Sequence, residues 1–541
     1  MNAFLSSQWT PDRVLEWRIR ETPDAPFLVS ENGTELSFAT FGRSVRDCMG
    51  HLAASGVGSE DRVALVAGNS IDHVTLWFAT NLLGATDAPI NPAFSGRLLE
   101  QALTLIDPVL VVAEAGLLPA VHAALETSGE MRPIRWFGSG EVPDESCTGA
   151  NSGPLAEAGS ATVTPPVLSP SGVSSILATS GTTGPAKGVM VTHAQAFLTA
   201  RQSVEGMRVT ADDTFYCAHP LFHMSPRFCV IYAALLTGAR VCLDAAFSAR
   251  RWIDRIRATG ATVTIGHGPL VEMIHAQPER DDDAETSLTR IGTSPFPRHI
   301  AQDFERRFGV KGIETWGMTE INIPCWHPFE EPLRPGSCGR IREEWYEFRV
   351  VNPDTDEEVP AGTVGEFVVR PKLPWIVSPG YFRNPEATVK AWRNLWFHTG
   401  DSGYRDAKGW VWFVDRLGDR IRRRAENISS FDIEVAANRY PGVAESAAVG
   451  VSSEYASDDD IKLCVVMHPE ARLDPVALIT HLLDELAHHM VPRYVEVLAD
   501  LPRTPTGKPR KAVLRETGVT ADTWDRKAAG LNLRSLRRQE D

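Results

Sequence analysis

Along the first 135 residues, short apolar runs alternate with amphipathic stretches. The run Asp61-Arg-Val-Ala-Leu-Val-Ala67 predicts a buried strand, and Ser70 predicts the cap of a helix reaching about Leu83. A second apolar run, Ala85–Ile90, ends in a turn at Asn91-Pro92. Strand, helix and strand at this spacing predict a βαβ unit and a parallel sheet. Residues 138–172 lose all periodicity and are rich in Gly, Ser, Pro, Ala and Glu, which predicts a surface loop or a linker between two lobes. Strand–helix alternation resumes from 173 to about 415. The final stretch predicts a smaller α+β unit, with strands near 444–451 and 461–468. Asp474 then caps a helix that has Pro475 at its first position and a stripe of Val476, Ile479, Leu482, Leu483 and Leu486. The expected architecture is therefore α/β. A large multi-subdomain N-terminal lobe of layered sheets and helices (1–415) is followed by a small mobile α+β lid domain (416–541).

Composition narrows the class. The 541 residues are 43% hydrophobic and 23% charged, with a net charge of −15, which argues against a nucleic-acid binder. No apolar run is long enough to span a bilayer, and the start, MNAFLSSQWTPDR, lacks the pattern of a signal peptide. Eight cysteines form no C-x-x-C pair, so neither a zinc knuckle nor a disulfide framework is expected. The expectation is a cytoplasmic protein without membrane insertion; the sequence leaves a homodimer open.

Chemistry concentrates first in Ile176-Leu-Ala-Thr-Ser-Gly-Thr-Thr-Gly-Pro-Ala-Lys-Gly-Val189. An apolar strand runs into a loop carrying Thr179, Ser180, Gly181, Thr182, Thr183, Gly184 and Lys187. Glycines let backbone N–H groups converge on an anion, while hydroxyls and a lysine add donors and charge. The G-K-[ST] ending of a Walker loop is absent. Taken alone, the segment reads as a phosphate loop or as a Gly/Thr-rich surface turn.

The whole string resembles the S-G-T-T-G-x-P-K-G signature of adenylate-forming enzymes (acyl-CoA synthetases, luciferases and peptide-synthetase adenylation domains), with Pro185-Ala186 where x-Pro is usual. Further segments follow in that family's order. Trp316-Gly-Met-Thr-Glu320 resembles Y-G-x-T-E, with Trp for the usual Tyr. The resemblance implies that Trp316 and Gly317 cover adenine, Thr319 meets the α-phosphate and Glu320 holds Mg²⁺. Gly292-Thr-Ser-Pro-Phe296 stands where the family's G-G-A-P segment lies along adenine and the acyl pocket, which implicates Gly292, Ser294 and Pro295. Gly365-Glu366 and Trp396-Phe-His-Thr-Gly-Asp401 come next, then Asp415-Arg416. Asp401 would accept the ribose hydroxyls and Arg416 would steady ribose and phosphate. Pro502-Arg-Thr-Pro-Thr-Gly-Lys508 resembles P-x-T-x-x-G-K, whose lysine bridges the carboxylate and the α-phosphate during adenylation. Lys508, Thr182 and Glu320 are thus the implied catalytic residues, and Gly418 occupies the family's pivot between the domains.

The implied activity consumes ATP with Mg²⁺, joins a small-molecule carboxylic acid to AMP, and transfers it to coenzyme A. Arg422-Arg-Arg-Ala-Glu-Asn-Ile-Ser429 and Thr523-Trp-Asp-Arg526 are most similar to the carnitine/crotonobetaine-CoA ligase branch. The acceptor channel would involve Arg424, Ala425 and Glu426, but the branch has glycine where Ala425 stands. A second function therefore stays open: the same nucleotide site with another acceptor, as in diazotases that join nitrite to an aromatic amine. A third is a non-catalytic nucleotide-binding protein. For the substrate pocket, Pro220-Leu-Phe-His-Met-Ser-Pro-Arg227 and Ile265-Gly-His-Gly268 nominate His223 and His267. Arg227 is nominated as a partner for a second anionic group.

Overall fold

The computed structural model describes residues 5–129, 131–138, 152–179, 187–417, 419, 421–423, 426–428, 430–453, 459–486, 488–503, 509–531 and 533. The predicted βαβ unit is present. Arg62–Val66 and Thr86–Ile90 pair in parallel around the helix Ile71–Leu82, and the Ser70 hydroxyl accepts from the His73 N–H at 3.0 Å. That cap satisfies one of the four donors a helix start leaves open.

These strands belong to a seven-stranded sheet. Its order is Gly153–Pro154, Ile134–Phe137, Leu110–Glu114, Arg62–Val66, Thr86–Ile90, Val173–Thr179 and Lys187–Thr192, parallel except for the last antiparallel pair. The stretch 138–172 consequently does not link two lobes. Its described part contributes Gly153–Pro154 to the same sheet that the chain re-enters at Val173. Loss of periodicity marked an irregular connection correctly, but it carries no information about which sheet receives the two ends.

A second sheet has thirteen strands. Its parallel half includes Pro26–Ser30, Arg240–Leu243, Thr214–Cys217, Val263–Gly266, Arg290–Thr293 and Lys311–Met318. An antiparallel half continues from Asn322–Trp326 through Phe397–Arg405 and Trp410–Arg416 to Tyr346–Val351. The helix His193–Met207 is buried on nearly every side between the two sheets. Such a helix shows no clean amphipathic stripe because it has no solvent face. One apolar cluster joins Leu65 and Leu177 of the first sheet to Phe197 of that helix and to Phe215, Val241 and Ile313 of the second.

After Arg416 the chain builds smaller sheets: the hairpin Ile421–Arg423/Glu426–Ile428, and four strands that include Val443–Ser452 and Asp459–Met467. The helix Pro475–Glu485 is capped by Asp474, which accepts from the Val476 and Ala477 N–H groups at 2.9 and 3.2 Å. Its buried face is Leu478, Ile479, Leu482 and Leu483, so Leu478 replaces the expected Val476, which is exposed. Asp415 ties this unit to the large sheet, accepting from the Ser430 N–H at 2.9 Å. The molecule is thus a mixed α/β protein with a large N-terminal part and a smaller C-terminal one.

Candidate active site

Parallel α/β sheets leave their ligand crevice at the carboxyl ends of the strands, and Thr179, His219, His267, Ser294 and Thr319 lie at or just past such ends. Val173–Thr179 and Lys187–Thr192 run antiparallel, with Thr179 opposite Lys187, so both stand at the mouth of the connection 180–186. Ser180, Gly181, Thr182, Thr183 and Gly184 lie outside the described residues. The Lys187 ammonium sits 4.6 Å over the Tyr381 ring, and the Tyr381 hydroxyl donates to Glu320 Oε1 at 2.9 Å. Glu320 is buried; burial raises its carboxyl affinity for a proton, opposed by the Tyr381 bond and by the charges of Arg416 and Lys187. Thr319 is anchored through its carbonyl, which accepts from the Gln195 amide at 2.8 Å.

Sequence reasoning missed Tyr381. The segment reaches the site because the Phe382 N–H donates to the Gly188 carbonyl (2.8 Å) and the Met190 N–H to the Gly380 carbonyl (3.1 Å), beside the Lys187 strand. The only local signal was the turn-like Ser378-Pro-Gly-Tyr381.

Lys311–Met318 and Asn322–Trp326 form a tight antiparallel pair that presents Trp316 to Glu320. A Cβ on Gly317 would meet Ile323 Cα at 2.7 Å, so only glycine allows this approach. The Trp316 indole N–H donates to Asp401 Oδ2 at 2.9 Å, and Arg416 Nε ion-pairs with Asp401 Oδ1 at 2.8 Å. Asp401 and Arg416 are direct cross-strand partners. Behind them, Glu366 Oε1 accepts from the Gly400 N–H (3.1 Å) and Oε2 from His398 Nδ1 (2.9 Å) and Arg393 (3.0 Å). Asp356, Glu366 and His398 could in principle converge on a cation. Arg393, which reaches both carboxylates, already supplies the positive charge there, and the group braces the strand at Gly400.

At the next strand ends, His223 and His267 are half-buried, and Ser294 and Pro295 are exposed on a cis peptide. Gly292 is buried; a Cβ there would strike Met207 Sδ at 2.7 Å. A third histidine joins them. His219 packs edge-on against His267 with ring centroids 5.5 Å apart. Burial, then the charges of His267 and His223, push its imidazole down to about 3, so it is neutral at ordinary pH. Spacing alone could not nominate His219, because it precedes the motif by one residue and its partner is 48 positions away.

Glu314, opposite Thr293 on the neighbouring strand, is 2% exposed. Burial raises its carboxyl to about 8, opposed by the backbone N–H groups of Phe296 and Gly336 and by Arg298. A carboxyl raised in the fold stabilises the protein most at low pH. That contribution is lost between its ordinary value of 4.5 and about 8, because the unfolded chain ionises first. Glu314→Gln, which keeps an acceptor oxygen, is expected to flatten the fall in melting temperature between pH 5 and pH 8. Parallel pH slopes for the two proteins would reject this.

Arg227 is not a pocket residue. Its side chain is 0% exposed within a π-helical turn, Ser225–Tyr232. It pairs with Asp87 at 2.6 Å and stacks over Trp77 at 4.0 Å. The guanidinium therefore joins the helix to the seven-stranded sheet from inside the core. Lys508, Gly418, Arg424 and Ala425 lie outside the described residues, as does the Glu426 side chain. The hairpin strands ending at Arg423 and starting at Glu426 flank residues 424–425.

Comparison with known proteins defines the class. Residues 15–382 match the family described as "AMP-binding enzyme", and residues 432–508 match "AMP-binding enzyme C-terminal domain". The chain belongs to the AMP-binding enzyme family. It is an ATP-dependent, AMP-forming ligase, which removes the non-catalytic reading. It is 31% identical over 504 residues to a sulfoacetate–CoA ligase of Cupriavidus necator, covering 92% of this chain and 96% of the relative. It is 28% identical over 482 residues to a crotonobetaine/carnitine–CoA ligase of Salmonella heidelberg (88% and 92%). Among solved structures, ATP-bound MatB from Rhodopseudomonas palustris is similar at a TM-score of 0.81 and 26% identity, covering 93% of this chain and 98% of that one. The fold also matches an anthranilate CoA ligase bound to anthranoyl-AMP, at a TM-score of 0.83 and 21% identity over 95% of this chain and 98% of that one.

Proposed function

We propose that this protein is an acid–CoA ligase. A small carboxylate attacks the α-phosphorus of ATP, forming an acyl–AMP anhydride and expelling pyrophosphate. The thiol of CoA then attacks the acyl carbon, AMP leaves, and the thiol proton is released. The observation that carries this reading is a linked set of side chains: Trp316 and Arg416 both engage Asp401, while Tyr381 joins Lys187 to Glu320, which also feels the charge of Arg416. A cation for the phosphates, a buried carboxylate and a ribose-sized acceptor beside an aromatic are the parts ATP activation needs.

In this reading the phosphates lie along Thr179–Gly184 and Lys187, with Thr319 at the α-phosphate. Adenine lies between Ser294-Pro295 and Trp316-Gly317, and the ribose lies on Asp401 and Arg416. Lys508, with Thr182, acts on the charge that develops at the transferred phosphorus, and CoA enters past Arg424, Ala425 and Glu426. The domains divide at 415/416 with a pivot near Gly418. We also assign the protein to the cytoplasm.

Glu320 suits Mg²⁺. One oxygen is fixed by Tyr381, the group is buried, and magnesium characteristically takes one or two carboxylates plus phosphate oxygens. Bound there, the ion would neutralise phosphate charge. Glu320→Gln is expected to raise the magnesium requirement severalfold, with partial rescue at high magnesium. An unchanged magnesium titration would make Glu320 structural.

Gly292, His223 and His267, with His219 behind, form the acid pocket. The relatives' names support a small acid with a polar tail, and imidazole N–H groups suit a tail that accepts hydrogen bonds. The test is product analysis by mass spectrometry with ATP, CoA and a panel of short polar acids, alongside ATP, nitrite and arylamines. Thioester formation is expected. Adenylate without thioester across the acid panel, or nitrite-dependent ATP cleavage, would overturn the CoA assignment.

A further inference from the structure

We propose that Trp316 is a positioning residue for ribose recognition. Its indole N–H holds the Asp401 carboxylate in the orientation that accepts the ribose hydroxyls, coupling the surface beside the base to the group beneath the sugar. This rests on the reading of Asp401 as the ribose carboxylate.

The indole and the carboxylate are 5% and 3% exposed and 2.9 Å apart. A carboxylate turns easily about its last torsion, so its direction must be set from outside. On one oxygen stands Arg416, whose side chain is 44% exposed and which therefore makes a solvent-screened anchor. On the other stands the indole, wedged edge-on against Phe367 at 5.2 Å and Phe348 at 6.2 Å. An indole N–H donates and never accepts, whereas the phenol usual at this position does both. Trp316 therefore orients Asp401 as a pure acceptor. The main chain is fixed independently: the Asp401 N–H donates to Thr399 Oγ1 at 3.0 Å, and the Gly400 N–H donates to Glu366. With the backbone held from behind, the indole bond governs mainly the direction of the carboxylate.

The test compares ATP with 2′-deoxy-ATP and 3′-deoxy-ATP in acid-dependent pyrophosphate release. Three proteins are compared with wild type: Trp316→Phe, Asp401→Asn, and a protein with β-(3-benzothienyl)alanine at position 316. The benzothienyl residue keeps the shape of tryptophan but puts sulfur in place of the N–H, so it covers the case in which the Phe variant packs poorly. A hydrogen bond to a charged group sets the scale: kcat/KM for ATP should fall about tenfold or more in both 316 variants. In the benzothienyl protein it should fall less for either deoxynucleotide than for ATP, because each lacks one of the hydroxyls that Asp401 accepts, so the ATP preference shrinks. If Asp401→Asn abolishes the preference while the 316 variants keep it, or lose all nucleotides equally, Trp316 acts by packing alone and the proposal fails. If wild type has no preference, or Asp401→Asn retains it, the ribose reading of Asp401 fails first.

Discussion

Replacing Lys508 with alanine is expected to slow pyrophosphate release by roughly 10²–10³-fold while leaving ATP affinity nearly unchanged. The physical ground is differential binding. A cation that meets charge developing between the carboxylate and the α-phosphate stabilises the transition state more than the bound nucleotide, so its loss appears in kcat. Lys508 stands in Pro502-Arg-Thr-Pro-Thr-Gly-Lys508, inside the C-terminal family match. A neighbouring lysine, Lys511, is already engaged: it ion-pairs with Glu434 at 2.8 Å and donates to the Ser430 hydroxyl at 2.5 Å. It is therefore not available as a substitute. Single-turnover pyrophosphate release and equilibrium ATP binding measure the two effects separately. Near-normal release from Lys508→Ala would remove the lysine from the mechanism.

The second large effect is on stability. Arg227→Met is expected to cost about 3–5 kcal/mol, because it leaves Asp87 buried without its counter-charge. Asp87 would keep the Ser175 hydroxyl at 2.6 Å, a neutral donor that cannot replace the guanidinium. Removing both charges, as Arg227→Met with Asp87→Leu, should recover much of the loss, since a well-packed apolar pair avoids both desolvation costs. Denaturation midpoints of the two variants check this. A fully stable Arg227→Met with a raised KM for an anionic acid would return Arg227 to the substrate pocket.

That arginine illustrates what a sequence leaves undecided. Arg227 follows His223 by four residues in one motif, and a polar residue so near a pocket candidate reads as part of the pocket. The chain instead winds into a π-helical turn there, which swings the side chain toward Asp87, 140 residues earlier. Spacing along a chain says nothing about which of two faces a side chain takes once the helix leaves its ordinary period.

Other features needed no tertiary information. The cap at Ser70, the cap at Asp474 and the strands of the first βαβ unit follow from rules that act within a few residues. The close approach of the Trp316–Glu320 segment to the next strand was also written locally, because it needs a glycine at one position. Here Gly317 admits no side chain at all. Val476 was misplaced on the apolar stripe because it lies in the first turn after the cap, where a helix end turns to solvent.

What only the tertiary structure decided are the relations between segments. Tyr381 reaches Glu320 across 61 positions, Trp316 reaches Asp401 across 85, and His219 faces His267 from a different strand end. Each link joins segments whose neighbours are set by strand order in the sheets. Local propensity does not encode that order; it is reached only when both faces of the sheets are buried together. The sequence by itself thus determined the chemical parts and their local geometry. The fold determined which parts touch, because burial and strand pairing act across the whole chain at once.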